Sequence, residues 1–374
     1  MYRRQLVLLG TLTAAATLAR PVFGRPQTKT LVVVELAGGN DGLNTFIPYK
    51  DPNYLRLRPT LGIRDGLPLH DRVALHPALQ DWQTLWRAGQ MAIVQNVGYS
   101  NPSLSHFRAQ DIWQSAILQG ATDTGWLGRY LDKVQAKTQE GVFLGEEYPL
   151  ALMGETQRYF HLSPNVLANP AGKLGQAIQS IYNTPQGSPL AEEVRRTVVE
   201  SQKAVQKLQQ DILQRQAQQG FTRTGVGQQF ALASRVTDNQ PRVVYVTVGG
   251  WDTHANQPQR HQRLLQELGK NVAAFWQKKY DQPVLMLIYS EFGRRPQQNG
   301  ANSTDHGTAG AVVLLGAVRG GISGGEPALD SLVQGNLPVK IDFRQVYGEI
   351  LRQWWGVEAK GIVPGEFARL GVLS

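Results

Sequence analysis

Apolar residues in this chain fall into two patterns. Five short stretches are nearly unbroken: LVVVEL at 31–36, MAIVQNVG at 91–98, VVYVTV at 243–248, PVLMLIY at 283–289 and AVVLLG at 311–316. A run of strand length without alternation reads as a strand covered on both faces, as in a parallel sheet. Elsewhere the spacing is helical. From His76 it passes through Leu79, Trp82, Leu85 and Trp86 to a stop at Gly89. A second helix carries Phe107, Ile112 and Trp113, and a third, opened by a surface His261, carries Leu264, Leu265, Leu268, Val272 and Phe275. Near the end, a short strand precedes a helix that Asp342 caps and that buries Val346, Ile350, Leu351 and Trp354. Strands alternating with helices predict an α/β domain with a largely parallel central sheet and helices on both faces.

One stretch stands outside this alternation. Over 191–219, Val194, Val198, Val205, Leu208 and Ile212 recur about every 3.5 residues beneath a Gln-rich outer face. This predicts a long helical insertion of roughly 40 Å. It bears no chemistry, and its stripe suits an arm or a homodimer seam.

The N-terminus has a different character. Arg3 and Arg4 precede the uncharged LVLLGTLTAAATLA, and small residues near 22–24 offer a cleavage site, the pattern of a secretory leader over 1–24. Paired arginines point to the twin-arginine route and a periplasmic or secreted product. The apolar run is short of the ~20 residues needed to span a bilayer, so no transmembrane span is expected in the mature chain, 25–374. Roughly 350 residues then remain, enough for one large or two ordinary domains, and the strand-helix alternation throughout favours one.

Composition narrows the chemistry. With no Cys, disulfides, thiolate zinc sites and Cys nucleophiles are excluded, so a metal must be held by carboxylate and imidazole. The net charge of +9 shrinks with removal of the leader's arginines, and no dense basic run remains. A nucleic-acid partner is therefore not expected. A mildly basic surface biases the chain toward anionic substrates or cell-envelope material, a class that includes a small anionic ester or cell-envelope glycan.

Polar turns follow the strands at a regular place. After 31–36 come Gly38, Gly39, Asn40 and Asp41; after 91–98, Ser103, Ser105 and His106 open a helix. After 243–248 come Asp252 and His254, and after 283–289 come Ser290, Glu291, Arg294 and Arg295. Asp305 and His306 then precede 311–316. If the strands are parallel, these turns share one sheet edge, where open α/β sheets bind ligands. So many acids with imidazoles suit one or two divalent cations such as zinc, manganese or calcium. Each residue has a plainer role: Asp41 as an Asx turn or helix cap, and Ser103 or Ser105 as a cap.

Seven motifs in order, LAGGNDGLNTFIPY, SNPSLSHF, TGWLGRYLD, GGWDTHANQ, SEFGRRPQQNG, TDHGTAG and DFRQVYGEILRQWWG, resemble the exported bacterial proteins grouped as domain of unknown function 1501. The resemblance implies an alkaline phosphatase/sulfatase-like fold and a metal-dependent hydrolase of phosphate or sulfate esters. It implies metal ligation by Asp41, Asp252 and His254, with Glu291 and either Asp305 or His306 completing the set. Ser103 or Ser105 stands near the nucleophile position, with His106 beside it and Arg294 or Arg129 as charge-neutralising groups. The spacing departs from that superfamily, whose Asp and His usually lie four apart, against two for Asp252 and His254. A non-catalytic, metal-stabilised envelope binding protein is the alternative.

Overall fold

The computed structural model describes residues 28–145, 149–156, 159–162 and 220–374, with isolated positions between 180 and 199. The leader expected over 1–24, and all but isolated positions of the helix expected over 191–219, lie outside them.

The apolar runs become the centre of a nine-stranded sheet. In chain order its strands are β1 (Thr30–Leu36), β2 (Met91–Gly98), β3 (Gly141–Leu144), β4 (Phe160–His161), β5 (Val243–Val248), β6 (Val284–Tyr289), β7 (Gly310–Gly316), β8 (Gly321–Ser323) and β9 (Ile341–Asp342). They lie in the order β8–β2–β7–β6–β1–β5–β3–β4, with β9 also paired to β2. β1 pairs in parallel with both β5 and β6. β7 is antiparallel to both β2 and β6, so β2, β6, β1 and β5 all run one way. The sheet is largely parallel, and the ends of these four strands share a rim with the start of β7.

Alternation inside each run divides the core. Leu31 and Val33 of β1, with Leu285 and Leu287 of β6, face one apolar cluster, while Val32, Val34, Met286 and Ile288 face the other. The first face is covered by α1 (His106–Ser115), α2 (Trp126–Lys133) and α5 (Phe343–Glu349), which contribute Trp113, Trp126 and Tyr347. The second is covered by α3 (Gly225–Thr237) and α4 (Gln257–Gln277), through Phe230, Leu265, Leu268 and Phe275. Each fully buried Val, Leu or Phe contributes about 1.5–3 kcal/mol, so double coverage is why these runs need no polar face. Asp342 caps α5 as expected, accepting from the Arg344 N–H at 3.0 Å.

Glu35 alone interrupts the β1 run. Its buried carboxylate accepts from Gln114 Nε2 at 3.0 and 3.1 Å and from the Tyr245 hydroxyl at 2.9 Å, so the charge enters the core with partners.

Candidate metal centre at the sheet rim

Glu291 follows β6 directly and is fully buried. Its carboxylate accepts from Gly38 N–H at 2.9 and 3.2 Å, Gly39 N–H at 3.2 Å and Ser290 Oγ at 3.1 Å. The turn after β1 thus wraps onto the turn after β6. Only glycine permits this at Gly38, where φ is +124° and an added Cβ would lie 2.4 Å from the Asp252 nitrogen. The short strands Gly293–Arg294 and His306–Gly307 then pair antiparallel, with Arg294 opposite His306.

Three side chains from three turns meet at this point. His106, at the start of α1, places Nδ1 2.7 Å from Glu291 Oε1 and Nε2 3.4 Å from Asp252 Oδ2. His306 places Nδ1 2.8 Å from the Leu104 carbonyl and Nε2 3.2 Å from Asp252 Oδ1. His106, Asp252 and His306 each offer a ligand atom within 4.8 Å of the others. His254 adds a third imidazole, its Nε2 2.9 Å from Asp252 Oδ1 and 2.8 Å from His306 Nε2. The Phe292 ring packs on both His106 and His306, with centroids 4.8 and 4.7 Å away.

Hydrogen bonding fixes the ring chemistry. A carbonyl only accepts, so His306 Nδ1 carries a proton and its neutral ring has the lone pair on Nε2. Glu291 orients His106 in the same sense, and His106 Nε2 is buried without a hydrogen-bond partner. Two Nε2 atoms and a carboxylate therefore face one another, each imidazole backed by an acceptor at Nδ1. This is the arrangement in which a carboxylate or carbonyl behind each histidine fixes the tautomer of a metal ligand.

Arg294 supplies the fixed positive charge. It is buried and donates to Gly39 O at 2.7 Å, Thr304 O at 3.1 Å, Gly38 O at 2.5 Å, Trp251 O at 3.1 Å and Asp252 Oδ1 at 2.7 Å. Burial pushes the Asp252 carboxyl up, but the hydrogen bond and charge of Arg294 outweigh it and hold the group at about 2. The hydrogen bond to Glu291 raises His106 against the opposing effect of burial. Desolvation lowers His254, opposed by the Asp252 charge.

Of the residues singled out from sequence, Asp252, His306, His254 and His106 converge, His106 as a candidate ligand. Glu291 stands behind His106, where it orients the ring. Asp305 is 3.8 Å from His254 Nδ1 and is held by Asn299 Nδ2 at 3.0 Å. Arg294, each of whose three nitrogens donates to the protein, is a positioning residue. Arg129 donates to the carbonyls of Thr124, Ser115 and Ile362.

Asp41 is engaged elsewhere. Its Oδ2 accepts from Arg58 Nη1 at 2.6 Å and Gln257 Nε2 at 2.5 Å, and its Oδ1 caps the helix Gly42–Thr45. The plainer role as a cap is observed, and a guanidinium lies against the same carboxylate. Burial raises Asp41, yet the Arg58 charge and hydrogen bond bring it below the usual range. Ser103 Oγ accepts from the Ser105 N–H at 3.3 Å, whereas Ser105, at the α1 N-cap, makes no side-chain capping bond.

The fold and this cluster define an α/β protein with a candidate histidine-carboxylate metal centre at the strand-end rim of its sheet. The chain belongs to the family described as "Protein of unknown function (DUF1501)", whose model matches residues 28–353. No curated protein sequence matches it. Among solved structures, the integral membrane lipooligosaccharide phosphoethanolamine transferase A from Neisseria meningitidis aligns over 92% of this chain and 56% of its own, at 10% identity and a TM-score of 0.43. The chain thus spans little more than half of that protein. The C-terminal periplasmic domain of EcEptC from Escherichia coli, in a complex with Zn, aligns over 78% of this chain and 74% of its own, at 9% identity and a TM-score of 0.37. Phosphonoacetate hydrolase from Sinorhizobium meliloti 1021, in complex with phosphonoformate, aligns over 75% and 60%, at 11% identity and a TM-score of 0.34. No described helix is long and apolar enough to cross a membrane.

Proposed function

We propose that this chain is an exported, metal-dependent hydrolase of phosphate or sulfate esters, with a leader over 1–24 and one alkaline phosphatase-like domain over 25–374. The observation that carries this reading is the pair of Nε2 lone pairs, on His106 and His306, aimed at Asp252 from rings fixed at Nδ1 by Glu291 and the Leu104 carbonyl. The donor set is nitrogen and oxygen without sulfur, suited to zinc or manganese. His106, Asp252 and His306 would hold the ion, with His254 at the margin. A divalent cation bound there supplies Lewis acidity to an ester oxygen and charge for an anionic group.

The protein's own part is positional. Arg294 keeps Asp252 ionised and aimed, and Glu291 and Leu104 keep the two rings from turning. Ser105 is the better nucleophile candidate, because its hydroxyl is exposed, makes no capping bond and precedes His106, whereas Ser103 is held in a local turn. The N–H groups opening α1 favour an anion at the same place.

The test is a panel of aryl phosphate, phosphodiester and aryl sulfate substrates with added zinc, manganese or calcium. Turnover with one ion, reduced at least 100-fold by His306→Gln and by Ser105→Ala, is the expected result. Saturable binding of an ester without turnover in any arm would replace the hydrolase with the binding protein. For export, Arg3→Lys with Arg4→Lys should retain the precursor inside the cell; normal export of that variant removes the twin-arginine assignment.

A further inference from the structure

A second polar site lies on α4, the helix that begins just after Asp252 and His254. A cavity of about 430 Å³ is bounded by the first turns of α4 and by the 61–81 segment, and His76, His261, Asp65, Gln262, Gln266 and Lys270 line it. That volume falls within the usual range for small-molecule sites. Its inner wall carries two imidazoles, each more than nine-tenths buried, meeting edge to face with ring centroids 5.8 Å apart.

The hydrogen bonds of these rings fix what they present. His76 Nδ1 accepts from the Ala78 N–H at 3.0 Å, so its proton is on Nε2. His261 Nε2 lies 2.9 Å from Asn40 Oδ1. The Asn40 amide orientation follows from its neighbours: Thr45 Oγ1 donates to the Asp41 carbonyl at 2.7 Å and so accepts from Asn40 Nδ2 at 3.1 Å. Asn40 Oδ1 is thus an acceptor, His261 Nε2 carries the proton, and His261 Nδ1 has the lone pair. His76 Nε2 and His261 Nδ1 have no protein partner among the described residues. Burial keeps both rings neutral at ordinary pH, with His76 lowered to about 4 and His261 to about 3.

One N–H donor and one nitrogen acceptor, both deeply buried, line a cavity whose mouth offers carboxylate, amide and ammonium groups. We infer that this cavity binds a neutral polyhydroxylated ligand, a saccharide unit, with a hydroxyl accepting from His76 Nε2 and donating to His261 Nδ1. A hydroxyl is the group that does both at once. A metal ion is excluded from His76 because the nitrogen available there is protonated. A carboxylate has no proton for His261, and any anion, phosphate included, meets Asp65 and Asp81 at the rim. Asp65 and the Gln262 and Gln266 amides suit the outer hydroxyls. This inference does not depend on the metal reading.

The test is calorimetric titration and saturation-transfer NMR on the full chain, with glucose, galactose, N-acetylglucosamine, maltose and cellobiose as probes and sodium phosphate as the anion control. Saturable binding of at least one sugar, unchanged after chelator treatment, is expected. Gln266→Trp, at an exposed rim position, should weaken that binding at least tenfold with an unshifted melting temperature. Three results would overturn the inference: no saturation by any sugar on folded protein, affinity that survives both Gln266→Trp and Gln262→Trp, or affinity lost to the chelator.

Discussion

Lowering the pH should destabilise this protein through His76 and His261. Both rings are buried and neutral, and burial is the leading cause of their low values, about 4 and about 3, against opposing help from the Asp41 charge. In the unfolded chain each titrates near 6.5. The unfolded state therefore binds more protons wherever pH is below 6.5, and stability falls as pH drops through that value toward the folded ones. The stabilising contribution is full above about 6.5. Between pH 7 and pH 5 each ring forfeits about 2 kcal/mol, and the pair about 4 kcal/mol, against a typical total of about 5–15 kcal/mol. Urea denaturation at pH 7, 6 and 5 measures this in the native chain, His76→Gln and His261→Asn. Each variant should lose about 2 kcal/mol less than the native chain between pH 7 and 5, whatever its stability at pH 7. Comparing slopes cancels His106, whose raised value acts in the opposite sense. A variant with the native slope would show that its imidazole is not held neutral, and would remove the tautomers on which the saccharide site depends.

Two further outcomes follow from the rim. Elemental analysis of the purified protein should give one divalent ion per chain, lost in Asp252→Asn and His306→Gln; full occupancy in both variants contradicts the ligand assignment. Arg58→Leu strands a buried carboxylate and should destabilise by about 3–5 kcal/mol, with part of the loss recovered when Asp41→Asn is added. A loss under about 1 kcal/mol in urea unfolding would show that the pair is not the buried anchor its geometry indicates.

The sheet was legible because a strand covered on both faces must be apolar at every position, and that leaves a local mark. The rim was legible for a related reason: polar turns just beyond such runs had to fall together once the strands ran one way. Asp252 and His306 meet on that logic even though 54 residues separate them. Partner choice was not legible. Nothing local in Asp41 distinguishes a carboxylate that meets an ion from one that meets Arg58, which stands in an Arg-rich stretch resembling a surface loop. Glu291 posed the same problem, since facing the ion and standing behind His106 are alike in sequence. His261 is different, because its signal was present. It lies four residues before Leu265 and seven before Leu268, on the stripe that α4 buries, so helical spacing alone places it inside. A surface position was expected because histidine is polar, and the structure corrects that.

The arrangement of charge at the rim explains why one ion is the expected number. Carboxylates gathered there would repel one another unless cations intervened, and from sequence metal ions were the expected ones. The structure provides two of them covalently. Arg58 neutralises Asp41 and Arg294 neutralises Asp252, each guanidinium sealed from water and tied to backbone carbonyls that keep it in place. Glu291 is matched by glycine N–H groups and the His106 ring. What stays unmatched at the centre is a lone pair: His106 Nε2 has no hydrogen-bond partner among the described residues, and His306 Nε2 lies between the Asp252 carboxylate and His254 Nε2. Each imidazole can take a proton of its own, whereas a single divalent cation would answer both nitrogens and the ionised aspartate together, which is why one ion is the expected number.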